Sequence, residues 1–125
     1  MLERAEIIVA VEVPAPPAGA RSLFLKHRVR NTWDFALSEV AVSVTPGAGR
    51  WDGVRIALGG VAPFPYRATA AEAVLVGQAP TESRVREAAE AAVDRARPLT
   101  QNGYKIDLTK ALVSRALMAL VAGLA

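Results

Sequence analysis

The order of patterns along this chain predicts an α+β fold, in which an antiparallel sheet of three to four strands is followed by three helices packed on one face. Two observations carry that expectation. Period-two alternation recurs from Glu6 to about Gly59, and past Arg67 it gives way to apolar spacings of three and four. Between the two regimes lies ALGGVAPFP (57–65), whose glycine pair permits positive φ and whose prolines fix φ and lack N–H donors. The chain must leave the sheet there.

Taken in order, EIIVAVEV (6–13) is rich in β-branched residues and reads as a first strand. Pro14, Pro16, Pro17 and Gly19 then make a linker that is neither helix nor central strand. RSLFLKHRVR reads as the next strand, over 22–30, with Leu23, Leu25, His27 and Val29 on one face and Phe24, Lys26, Arg28 and Arg30 on the other. The leucine face is the expected core side, with His27 a packed, hydrogen-bonded imidazole at the sheet margin. After a turn at 31–33, a strand over 36–44 carries Val40, Val42 and Val44 in phase. Leu37 falls out of phase, so an irregular entry or bulge is expected near Ser38. Pro46-Gly47-Ala48-Gly49 turns the chain into a strand over 53–61, where Val54, Ile56 and Leu58 share the core face.

The helices follow. Thr69 and Glu72 have capping-box spacing, and Gly77 is placed to end the helix they open. A second helix is expected over Thr81 to Ala96, capped by Thr81, with Val85, Ala88, Ala89, Ala92, Val93 and Ala96 on one side. Its alanine face implies close packing and needs no pocket. Asn102-Gly103 marks a turn, and a last helix runs from about Lys105 to Ala122 with Leu108, Leu112, Val113, Ala116, Leu117, Leu120, Val121 and Leu124 on its apolar stripe.

Composition excludes several chemistries. A chain of 125 residues, 52% apolar, buries roughly two-thirds of its unfolded surface as a single domain. The absence of cysteine removes disulfides, thiolate metal sites and iron–sulfur ligation, and a lone histidine rules out a histidine metal cluster. A net charge of +3 raises nucleic-acid binding, but the arginines are dispersed and aromatic residues make up only 6%, so a solvated surface is expected instead. No apolar run reaches the ~18 residues of a membrane span. Glu3 and Glu6 stand where a signal peptide has a basic region, and the expectation is a cytoplasmic protein without membrane contact. No G-x-S-x-G elbow is present, and the glycine pair lacks the strand–G-x-G-x-x-G–helix frame of a pyrophosphate site. No catalytic residue and no metal ligand is expected.

ALGGVAP (57–63), followed by Pro65, Arg67-Ala68 and Ala71-Glu72, resembles the C-terminal domain of the FAD-binding (medium) subunit of the molybdenum hydroxylases, the family of xanthine dehydrogenase and aerobic carbon monoxide dehydrogenase. Phe24, Lys26, Arg30, Asp34, Ala36 and Val40-Ala41-Val42 match a second stretch of it, and Tyr104, Lys105, Leu112 and Arg115-Ala116-Leu117 a third. TQNG (100–103) departs from the D-x-R-x-S run common before that tyrosine.

The resemblance implies a two-layer sandwich over 20–125. It also implies that 1–19 is the last strand and proline linker of a preceding flavin-binding domain, so the chain reads as a domain cut from, or encoded apart from, that partner. FAD is then expected in the assembled protein but not on this chain alone. The expected partners are the N-terminal flavin-binding domains and the molybdopterin and iron–sulfur subunits, with a homodimer of the isolated chain as a further possibility. Lys26, Arg28, Arg30 and Asp34 are the expected flavin-proximal residues. Asp34 would either orient Arg28 or Arg30, meet the ring's polar edge, or only cap the turn after Asn31. The rival reading is a free-standing interaction module of the same fold without redox activity.

Overall fold

The computed structural model describes residues 2–123 and bears out the α+β sandwich. Strands β1 (Arg21–His27), β2 (Ser38–Pro46), β3 (Trp51–Gly59) and β4 (Tyr66–Arg67) form one antiparallel sheet in the order β1-β2-β3-β4. Helices α1 (Thr69–Leu75), α2 (Glu82–Ala91) and α3 (Tyr104–Val121) follow. Alternation in β2 and β3 turns Val40, Val42, Val44, Val54, Ile56 and Leu58 toward the helices, where they meet Leu75, Val113 and Leu117 in the core. α3 lies over β1 and β2, α1 lies over β3, and α2 packs on both of these helices. The opposite sheet face is open and bears Phe24, Lys26, Ala41, Arg55 and Arg67. No described helix is long and apolar enough to cross a membrane.

Several expectations are corrected. Residues 6–13 pair with nothing among the described residues, and Ile7, Val9, Val11 and Val13 are all more than three-quarters exposed. A strand needs a neighbour for its backbone groups, and β1, at the sheet edge, pairs with β2 and not with this segment. The sheet's fourth strand, beyond the three read over 22–30, 36–44 and 53–61, is Tyr66–Arg67, past the prolines. β1 stops at His27 rather than continuing to residue 30, because Leu37 N donates to His27 O (2.8 Å) and closes a loop there. His27 is exposed, not packed: it lies at the last position of an edge strand. The register irregularity of β2 falls at Thr45/Pro46, not near Ser38, since Leu37 precedes the strand altogether.

The capping box at Thr69 does not form. Ala68 is the N-cap, without a side-chain bond, and Glu72 points into the protein instead. Thr81 does cap α2, accepting from Arg84 N at 3.4 Å. α2 ends at Ala91, five residues before Ala96, so Arg95 and Arg97 lie beyond its last turn. On α3 the expected stripe is buried at Leu112, Val113, Ala116, Leu117 and Leu120, while Leu124 lies outside the described residues.

Candidate functional site

The connection between β1 and β2, residues 28–37, is a compact loop whose ends meet through the Leu37 N–His27 O bond. Its shape is held from inside by arginines. Arg28 donates through Nη1 to Thr32 O (2.9 Å) and through Nη2 to Asn31 Oδ1. Arg30 Nε donates to Asp34 Oδ2 at 3.1 Å, a pair with the arginine 71% and the aspartate 34% exposed. Below the loop, Gly60 (φ +70°) packs so closely that a β-carbon there would stand 3.0 Å from Ala36 O and 3.3 Å from Leu37 O. The next link runs to α3, where Lys105 Nζ donates to Gly60 O at 2.9 Å. The ALGGVAP turn is thus clamped between the base of the loop and the start of the last helix.

What the loop presents is apolar. Trp33 (105% relative exposure) and Phe35 (97%) stand free of the protein surface, and Val29 of the same loop is 75% exposed. Leaving one such side chain in water forgoes about 1.5–3 kcal/mol of burial. A loop tied by its own hydrogen bonds that presents two of them has the character of a contact surface.

The four expected residues are only partly brought together. Arg30 and Asp34 pair, which selects one of the alternatives open for Asp34 in the free domain. Arg28 donates to the loop's own neutral groups and is half-buried, and among the described residues its charge has no acidic partner. Lys26 stands on the open sheet face opposite Glu39, apart from the loop ties. The net positive charge of the loop is therefore smaller than three outward cations suggest, because Asp34 balances Arg30. Sequence reasoning missed Trp33 and Phe35. Their signal was present: two aromatics flanking an aspartate between strands, in phase with neither face.

These residues fit one wall of a flat aromatic group. Trp33 and Phe35 offer stacking surfaces, and a guanidinium lies within the same ten-residue loop to favour negative charge. They do not fit a diphosphate, which takes a glycine-rich turn at a helix N-terminus. Among the described residues no group of three His, Asp or Glu side chains gathers as a metal site.

Residues 24–120 match the family model described as the CO dehydrogenase flavoprotein C-terminal domain. The chain is 38% identical, over 84% of its length, to the aldehyde oxidoreductase FAD-binding subunit PaoB of Escherichia coli (strain K12), covering 30% of that protein. It is 33% identical, over 95% of its length, to the carbon monoxide dehydrogenase medium chain of Hydrogenophaga pseudoflava, covering 42% of it. Among solved structures, carbon monoxide dehydrogenase from Hydrogenophaga pseudoflava lacking the Mo-pyranopterin moiety superposes with a TM-score of 0.81 at 38% identity, over 88% of this chain and 39% of that one. Quinoline 2-oxidoreductase from Pseudomonas putida 86 gives 0.79 at 29% identity, over 89% and 39%. The chain thus spans less than half the length of each of these relatives.

Proposed function

The chain belongs to the CO dehydrogenase flavoprotein C-terminal domain family, and on that premise we propose that it completes the flavin site of a molybdenum-hydroxylase flavoprotein. The observation that carries this reading is the loop 28–37, tied by Arg28 and Arg30 and tipped by Trp33 and Phe35. Bound beside it, FAD would supply the two-electron redox chemistry. The chain's own part is to cover the ring with Trp33 and Phe35, to exclude water, and to set a positive field through Arg28. Arg30–Asp34 keeps the loop in shape. Lys26 acts at longer range from the sheet face. The diphosphate and adenine belong to preceding domains, and residues 1–19 would be the tail and linker of these. Molybdopterin and iron–sulfur subunits would deliver the electrons, since a cysteine-free chain ligates no cluster by thiolate.

The test uses the flavoprotein with all its domains. Trp33→Ala is expected to alter the flavin absorption band, and Arg28→Ala to lower the FAD reduction potential by weakening the stabilisation of reduced, anionic flavin, with Tm of the protein little changed for Trp33→Ala. The reading fails if both variants keep the wild-type spectrum and potential. The chain by itself is expected to show no saturable FAD binding in the micromolar range by flavin fluorescence.

Self-association is a second reading, favoured by the exposed apolar side chains of 7–13. Sedimentation of the chain with and without 2–13 separates the two: a dimer lost on deletion supports pairing through this segment.

A further inference from the structure

Because α2 stops at Ala91, the residues expected to continue its packed face do not close on α3. They roof a cavity of about 240 Å³ instead, bounded below by the end of β3 and the turn after it, and on one side by the first turns of α3. The alanine-rich helix pattern implied close packing and gave no sign of this pocket.

Its lining divides by chemistry. Leu58, Ala92, Val93 and Ile106 give it apolar walls, with Leu58 and Ala92 each 2% exposed, and Tyr66, Asn102 and Thr109 add neutral polar groups. Arg95, Arg97 and Lys105 also line it, and no carboxylate does. Among the described residues Arg97 donates only to Ala96 O (3.1 Å) and Lys105 only to Gly60 O (2.9 Å), both neutral carbonyls. Arg95 makes no ion pair among the described residues. Three full positive charges thus border one largely apolar hollow.

From this we infer that the cavity binds a small organic monocarboxylate bearing a single aromatic ring or a branched aliphatic group. Size sets the upper limit: a dry cavity of about 150 Å³ accepts benzene, so this one takes a ring with a short acid arm and not a nucleotide. The ring lies on Leu58 and Ile106. The carboxylate meets guanidinium groups that can grip it with paired N–H bonds. Partial enclosure strengthens that attraction over its value in open water. The site is independent of the flavin reading, although Lys105 joins its wall to the Gly60 turn beneath the aromatic loop.

Phenylacetate is the probe, titrated into the full chain and followed by amide chemical shifts, with phenylacetamide as the uncharged control. Saturable shifts are expected at 58, 92–97 and 105–106. Affinity should be at least about tenfold weaker for phenylacetamide, and equally reduced for phenylacetate in the double variant Arg95→Ala/Arg97→Ala, whose exposed side chains leave folding untouched. Ala96→Phe, filling the hollow, should abolish the shifts. The proposal is overturned by the absence of saturable shifts, by equal response to the amide, by full affinity in the arginine double variant, or by shifts mapping elsewhere.

Discussion

Glu72 stands in for a strand residue to Ile56: its Oε1 accepts the Ile56 N–H at 2.8 Å, where β4 has ended one residue too soon to do so. The Ile56 carbonyl is met by Ala68 N at 2.9 Å, so the helix entry and the helix side chain together complete the β3 edge. Arg67, the last residue of β4, pairs with the same carboxylate through both Nε and Nη2 (the latter 2.9 Å). Burial pushes the Glu72 carboxyl up, but the Arg67 guanidinium and the Ile56 N–H outweigh it and hold the group below its ordinary value of 4.5.

Glu72→Gln should therefore destabilise the domain at neutral pH, by about 1.5–3 kcal/mol, the worth of charged hydrogen bonds at a buried site. The pH dependence has a definite sign. A depressed carboxyl contributes fully above its unfolded value and loses the contribution as pH falls through the folded one. The gap in urea-midpoint stability between wild type and variant should be constant above about pH 6 and narrow on acidification. A gap that widens toward acid would contradict the assigned role.

Gly60 and Gly77 both have positive φ (+70° and +74°), but only Gly60 has neighbours within reach of a β-carbon. Gly77→Ala should cost about 1–2 kcal/mol for the left-handed backbone alone. Gly60→Ala should cost more, because Ala36 and Leu37 must also move, and it should disturb the loop above. Thermal denaturation of the two variants checks the order; equal losses would mean that the loop base is not clamped as described.

The hydroxyls of Ser38 and Thr109 meet at 2.8 Å in the core, joining the start of β2 to α3. Removing one leaves the other without that partner, so Ser38→Ala and Thr109→Val should each cost about 1–3 kcal/mol. The double variant should cost clearly less than their sum, a coupling that a double-mutant cycle measures directly. Additive losses would show that the pair contributes nothing as a pair.

Residues 2–13 make no strand and leave their apolar side chains exposed, so deleting them should leave the Tm of the remaining chain within about a degree of wild type, as expected for a segment away from the core. A drop of several degrees would mean that the segment packs on the domain after all.

The sandwich was legible because its signals are local. Val40, Val42 and Val44 alternate, Leu112 to Leu120 repeat at helical spacing, and Pro63 and Pro65 punctuate the change of regime; each is set by residues a few positions apart. What tertiary structure alone decided are choices between partners distant in sequence. Capping-box spacing at Thr69–Glu72 was correct as a pattern, yet the carboxylate left the helix end for Ile56, since an unmet N–H inside the protein costs more than one at an exposed helix terminus. Residues 6–13 have every propensity for a strand and none of the pairing, because a strand is completed only by another strand's backbone. The loop followed the same rule: alternation placed Arg28 and Arg30 on one strand face with Lys26, whereas the bond from Leu37 to His27 ended the strand and turned both arginines to holding Trp33 and Phe35 in water.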